Sequence, residues 1–357
     1  MTDREAVTTP WRRDASRIEA GLAAWAREWR GAATKLTDVR MPGSGMANDT
    51  VLFRLDGDAL VARLAPAADS FYPTFPTFDL DLQKRAMDLV RARTEVPAPE
   101  VVHLEASTEW LDVPFMVVRA IEGEVASDNP PYLMDPSGWF LRGTPDDWQR
   151  LETSTIDVFV QLHCIVDGVD TEFLRVDAPG ETALARLLAS HRDYYEWARD
   201  GHSVAVLERA FDVLTKTLPS TERSVLLWGD GRPGNIIYRD FEPVGVLDWE
   251  MAGVGPPECD LAWATFFQRF WAAMAAPYGV PVPAMFDRAA SAATYERLSG
   301  TVLDDLAWYE ALAGLRFGII LMRMGLRSIA YGQLPMPDDI DELMMFPRLL
   351  EELLGEI

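Results

Sequence analysis

The sequence predicts an α+β fold of two lobes, a β-rich N-terminal lobe followed by a larger, mostly helical C-terminal lobe. Three observations carry this reading. Residues 36–64 and 96–118 hold short apolar runs separated by Gly, Pro and Asp turn signals, the pattern of antiparallel strands. From residue 144 onward, apolar residues recur at helical spacing instead. A single strand-and-hairpin pattern, between residues 225 and 248, interrupts that helical half.

Composition bounds the function classes. With 357 residues, 48% of them apolar, the chain can bury a large core. No apolar run reaches the roughly 18 residues a membrane span needs, and the start, MTDREAVTTPWRRD, lacks a signal-peptide core. A cytoplasmic protein, monomer or homodimer and not membrane-bound, is therefore expected. Cys164 and Cys259 supply neither a disulfide framework nor a metal spacing. The net charge of −23 repels nucleic-acid phosphates. That charge suits a cationic substrate, and equally an acidic surface that only keeps the protein soluble. Of the 33 basic residues only Lys35, Lys84 and Lys216 are lysines, so a phosphate clamp is expected to be an arginine.

Taken in order, residues 14–30 place Ile18, Leu22, Trp25 and Trp29 on one helical face, with Asp14 or Ser16 as cap and Gly31 as stop. Two strands then flank the turn Gly43-Ser44-Gly45, and a third strand, Ala59 to Leu64, follows Asp56-Gly57-Asp58. A helix runs from Leu80 to Leu89. A strand pair follows Val96-Pro97, ending in the buried run Phe115 to Val118. Residues 124–143 are rich in turn formers and read as a loop or lid. Thr144-Pro145-Asp146-Asp147 caps a helix that continues past His163. Further helices are expected at 181–199, 203–217, from 255 onward, and at 286–299, 303–331 and 339–355.

The stretch Leu226-Leu227-Trp228-Gly229-Asp230-Gly231-Arg232-Pro233-Gly234-Asn235 carries the chemistry. Val225 to Trp228, Ile236 to Arg239 and Val244 to Leu247 read as strands, the last two joined by Asp240, Glu242 and Pro243 as a hairpin. A hairpin brings its outer ends together, which sets Asn235 beside Asp248, with Asp230 on the loop just before them. An Asp, four residues and an Asn, then a hairpin and a second Asp, is the kinase order of a base and two metal ligands. Phosphoryl transfer needs Mg2+ held by hard oxygen ligands and a carboxylate at the attacking hydroxyl. An acidic surface hairpin is the alternative. Asparagine, however, occurs only at 48, 129 and 235, and one of the three falls where the ligand is required.

The segment from about Leu36 to Ala262 resembles the aminoglycoside phosphotransferase family, which includes choline-kinase-like small-molecule kinases. The resemblance implies a protein-kinase-like fold with an N-terminal helix (1–35), a nucleotide-binding N-lobe (36–122) and a catalytic, substrate-binding C-lobe (123–357). It implies ATP or GTP and Mg2+ as cofactors, and a small-molecule hydroxyl as acceptor. Asp230 would be the base, and Asn235 and Asp248 the metal ligands. The Gly43-Ser44-Gly45 loop, near Asn48, would cover the phosphates. Arg63 takes the place of the usual phosphate-binding Lys, and Gln83 that of the Glu which holds it. Backbone groups of Arg119 and Ile121 would meet the base of the nucleotide. Arg232 would contact the γ-phosphate or brace its own loop. Glu250 would support the metal, and Asp260 the catalytic loop. His163 and the aromatics Tyr194, Tyr195 and Trp197 have packing as their simpler role.

Three functions fit this pattern. One is an antibiotic kinase, and a second is a metabolic kinase. The sequence also resembles the kinase-like domain fused to some acyl-CoA dehydrogenases, which acts on hydroxyacyl thioesters. A third is a nucleotide-binding protein without turnover, suggested by Trp228 where the family usually has His, by Arg63 and by Gln83.

Overall fold

The structure, a computed structural model, describes residues 13–41, 49–66, 73–128, 130–220 and 223–357. The expected phosphate loop, Gly43, Ser44 and Gly45 with Asn48, lies outside the described residues. The architecture is the α+β, two-lobe arrangement that the sequence predicts.

The N-lobe is an antiparallel sheet of β1 (Leu36–Arg40), β2 (Asp49–Leu55), β3 (Asp58–Leu64), β4 (Val101–Glu105) and β5 (Phe115–Arg119), in the order β1-β2-β3-β5-β4. Helix α1 (Ala15–Arg30) begins where the Asp14 carboxylate accepts the Arg17 N–H. It lays Ile18, Leu22 and Trp25 on one sheet face, against Phe53, Leu60, Ala62, Leu64, Phe115 and Val117. Helix α2 (Leu80–Arg93) covers the other face, where Met87 and Val90 join the core of Met116 and Val118. Side chains alternate along a strand. Arg63, between the inward Ala62 and Leu64, therefore projects on the face turned toward the C-lobe.

The C-lobe begins with β6 (Glu124–Val125) and contains α3 (Pro145–Leu162), α4 (Ala183–Ala198) and α5 (Ala205–Lys216). There follow β7 (Val225–Leu227), β8 (Ile236–Arg239), β9 (Glu242–Val246) and β10 (Gly253–Gly255). Helices α6 (Glu258–Ala275), α7 (Arg288–Ser299), α8 (Leu306–Ala330) and α9 (Pro347–Leu354) complete it. Strand β7 pairs with β10, and β8 lies between β6 and β9. No described helix is long and apolar enough to cross a membrane.

Three expectations are refined. The β8–β9 turn is Asp240-Phe241, both at positive φ (52° and 64°), so Glu242 already pairs with Arg239 and the strand starts earlier than predicted. Residues 124–143 are not a loose lid. Their β6 pairs with β8, and Leu133 and Phe140 are buried in the main core. The helix expected at 339–355 is two pieces. Met345 stands in the left-handed region (φ 65°), and α9 starts afresh at Pro347.

One buried charge ties the last helices together. Glu310 of α8 is fully buried and accepts from Thr265 of α6 at 2.6 Å, Arg269 of α6 at 3.0 Å and Arg288 of α7 at 2.5 Å. Both arginines also reach Glu356. Removing a buried partner leaves cations desolvated with less to offset them. Glu310→Ala is expected to lower unfolding free energy by about 2–4 kcal/mol in chemical denaturation. The lower part of that range reflects the partial exposure of the arginines and their remaining bonds to Glu356.

Candidate active site

The site is built on the turn after β7. The Trp228 and Gly229 N–H groups both donate to the buried Asp260 carboxylate, each at 2.8 Å, one to each oxygen. Gly229 sits at φ +86°, and a Cβ there would stand 2.0 Å from the Met251 carbonyl oxygen, so this position requires glycine. His163 contacts Asp260 through Nε2 at 3.2 Å and the Tyr295 hydroxyl through Nδ1 at 2.8 Å. It is a satisfied core residue, as the sequence suggests. The Trp228 indole donates to the Leu247 carbonyl at 2.8 Å, fastening this turn to the residue before Asp248.

The turn delivers Asp230 next to Asn235. The Asn235 side-chain amide donates to Asp230 Oδ2 at 2.6 Å and to its carbonyl at 3.1 Å. The Leu247 N–H donates to the Asn235 carbonyl at 2.8 Å, closing the hairpin mouth. Asp248 follows in the left-handed region (φ 61°, ψ 68°). Its Oδ1 accepts from Arg63 Nη2 at 2.6 Å, a bond that joins the two lobes. The structure thus gathers Asp230, Asn235, Asp248 and Arg63. Because the Asn235 amide donor is committed to Asp230, the atom it has for a cation is Oδ1. With the Asp248 carboxylate, that is the hard-oxygen chemistry a magnesium ion selects.

Charges set the protonation of this cluster. Burial raises the Asp230 pKa, Arg232 partly offsets this, and neighbouring Asp248 adds to the rise. Burial opposes charge on Arg63, but Asp248 and Glu250 outweigh it and hold its pKa above the ordinary value. Asp230 Oδ1 also accepts from Trp263 Nε1 at 2.8 Å and Arg232 Nε at 3.1 Å.

A profile of the phosphotransferase enzyme family matches residues 38–300. The chain belongs to that family. An aminoglycoside phosphotransferase candidate from Ralstonia eutropha superposes with a TM-score of 0.66 at 20% identity, covering 94% of this chain and 96% of that one. Macrolide 2′-phosphotransferase MphH from Brachybacterium faecium gives 0.58 at 18% identity, covering 90% and 97%. A thermostable form of aminoglycoside phosphotransferase APH(4)-Ia, solved with AMP-PNP and hygromycin B, gives 0.57 at 17% identity, covering 93% and 98%. At these identities the likeness is one of fold. Among curated relatives, acyl-CoA dehydrogenase family member 10 of Mus musculus is 26% identical over 224 residues, 62% of this chain and 19% of that protein. Member 11 of Gallus gallus is 25% identical over 240 residues, 65% of this chain and 28% of that protein. The chain thus spans about a fifth to a little over a quarter of these relatives' length.

In this phosphotransferase the remaining predicted residues fall in different places. Arg232 braces its own loop, since Nη1 donates to both Asp128 oxygens at 2.7 and 2.8 Å and Nε to Asp230. The Arg119 N–H donates to the Glu100 carbonyl at 3.0 Å, so of its backbone only the carbonyl is left to meet a nucleotide base. Ile121 packs beside Gly245 of β9, where a Cβ would stand 2.9 Å from its Cδ1. Gln83 is buried, and neither of its amide atoms is hydrogen-bonded among the described residues. It does not hold Arg63; Asp248 does.

Trp263, Asp128 and Arg316 are the residues that sequence reasoning missed. Trp263 lies three positions after Asp260 on α6, a helical spacing that puts both on the side of the catalytic turn. Arg316 interrupts the apolar run of α8, which was a readable signal. Asp128 gave none. Asp260→Ala would leave two backbone donors buried and unmet. It is expected to cost about 2–5 kcal/mol in chemical denaturation, and to speed hydrogen exchange at Trp228 and Gly229.

Proposed function

We propose that this phosphotransferase moves the γ-phosphoryl group of ATP or GTP to a hydroxyl of a small molecule. The convergence of Asp230, Asn235 and Asp248 with Arg63 carries the reading, since each supplies what such a transfer requires. A magnesium ion held by Asn235 Oδ1 and Asp248 would supply charge neutralisation for the phosphates. Arg63, which meets Asp248 through one Nη2–Oδ1 bond, is the cation that would hold phosphate oxygens, under cover of the Gly43-Ser44-Gly45 loop. The Arg119 carbonyl and the Ile121 backbone would meet the nucleotide base.

Asp230 is the proton acceptor. Its Oδ1 already takes two donors, Trp263 and Arg232, whereas among the described residues Oδ2 takes only Asn235. Oδ2 therefore keeps a lone pair for the acceptor hydroxyl. As the hydroxyl oxygen bonds to phosphorus, its proton passes to Oδ2 and the bond to the diphosphate oxygen breaks. The raised pKa of Asp230 makes it the better base. The names of the curated relatives support a metabolic hydroxyl compound as acceptor over an antibiotic.

An ADP-release assay with Asp230→Ala tests the base. Turnover is expected to fall about 10²–10⁴-fold while nucleotide affinity stays close to that of the wild type. Undiminished turnover would overturn the assignment. Asp248→Ala is expected to abolish the magnesium dependence of nucleotide binding in calorimetry. Arg63→Lys keeps the charge but loses the fork, so it is expected to retain more activity than Arg63→Ala.

A further inference from the structure

Arg316 enters the catalytic neighbourhood from α8 as a cation without a carboxylate of its own. Its Nη1 donates to the Gly229 carbonyl at 3.1 Å, one residue before Asp230, and its guanidinium lies 5.3 Å from the Trp263 ring centroid. Among the described residues no Asp or Glu forms a salt bridge with it, whereas Arg63 and Arg232 each have one or more. Burial pulls its pKa below the ordinary guanidinium value, against the attraction of Asp230. Together with burial, its charge holds the neighbouring His191 well below the usual imidazole pKa, so His191 stays neutral.

A guanidinium carries five N–H donors, and among the described residues Arg316 uses one. A neutral amide could brace the Gly229 carbonyl without the desolvation cost of a charge. The same α8 face continues, after seven and eleven residues, in Arg323 and Arg327. Arg323 lies over Trp197 at 4.3 Å and donates to the Pro73 carbonyl, and Arg327 donates to Thr74 Oγ1. Although the whole chain is strongly acidic, this face of α8 carries three arginines.

We propose that Arg316 binds the acceptor, and that the acceptor is an anion: a hydroxyl compound bearing an oxyanion, carboxylate or phosphate. The oxyanion docks on Arg316 while the hydroxyl lies at Asp230 Oδ2. The inference rests on the kinase reading for its hydroxyl, but not for its anion site. Arg232 is less suited to the role, because Asp128 and Asp230 already engage it. A polyamine in this position would meet like charge in a desolvated setting, which disfavours it.

Calorimetry without nucleotide separates binding from turnover, using glycerate, glycerol 3-phosphate, glycerol and an aminoglycoside as probes. At least one anion is expected to bind the wild type tenfold or more tighter than glycerol, and which anion binds identifies the oxyanion. Arg316→Met is expected to weaken that anion roughly 10- to 100-fold, and Arg316→Lys to restore part of the loss. Unchanged ATP affinity and thermal midpoint check that both variants fold. Equal binding of glycerol or the aminoglycoside, or anion binding unaffected in folded Arg316→Met, overturns the proposal. ADP release with the same acceptors then tells the two readings apart. Anion binding through Arg316 with no ADP released from any acceptor sinks the kinase reading alone. ADP release from a neutral or cationic acceptor, unaffected by Arg316→Met, sinks the anion site alone.

Discussion

The carboxylate of Asp260 is the fixed point of this active site. It is buried, and it takes the N–H groups of two consecutive residues, Trp228 and Gly229, at the moment the chain leaves β7. A buried carboxylate with satisfied acceptors is directional, since each lost bond would leave a charge and a donor unmet in a poorly polarisable interior. That direction fixes the path of the next residues, so Asp230 is placed by backbone hydrogen bonds and not by its own side-chain preference. His163 meets the carboxylate from behind and is itself held by the Tyr295 hydroxyl. The α6 helix supplies both the anchor, Asp260, and one turn later the Trp263 donor to Asp230. One rigid element thus sets the turn and orients the group that the turn carries.

Electrostatics around that fixed point follow from pairing. Asp230, Asp248 and Asp128 are gathered in a small volume, and two arginines, Arg63 and Arg232, divide them. Burial and neighbouring Asp248 push the Asp230 pKa up, and Arg232 partly offsets this. Arg232 engages two carboxylates, Asp128 and Asp230. Arg63 reaches across the lobes to a single carboxylate oxygen, and its Nε is buried without a hydrogen bond among the described residues. Of these two arginines it is therefore the one held by fewer carboxylate oxygens.

Much of this was legible in the sequence for a specific reason. The hairpin read correctly because its alternating apolar runs and turn residues are local signals, and a hairpin's outer ends must meet. The proximity of Asn235 to Asp248 follows from that alone. Arg63 is placed by the resemblance to the family's Lys position, and the alternation of β3 is what turns it toward the C-lobe. What stayed hidden depends on packing across long separations. The bond from Asp128 to Arg232 spans 104 residues and the one from Arg316 to Gly229 spans 87, and no periodicity encodes either. The break at Met345 was missed because a left-handed residue other than glycine has no strong composition signal. The packing of residues 124–143 was missed because turn formers conceal the anchors Leu133 and Phe140.

The three departures from the family pattern act on the same place. A carboxylate at position 83, buried in α2, would need a counterion, and Arg63 is the cation the pattern assigns to it. Neutral Gln83 leaves Arg63 to Asp248, which it meets at 2.6 Å. Trp228, in place of the usual His, spans to the Leu247 carbonyl and so fastens the catalytic turn to the backbone just before Asp248. All three substitutions thus bear on where Asp248 sits and what charge faces it. Asp248 is thus restrained from two directions, by the Trp228 indole through the backbone before it and by the Arg63 guanidinium through its side chain.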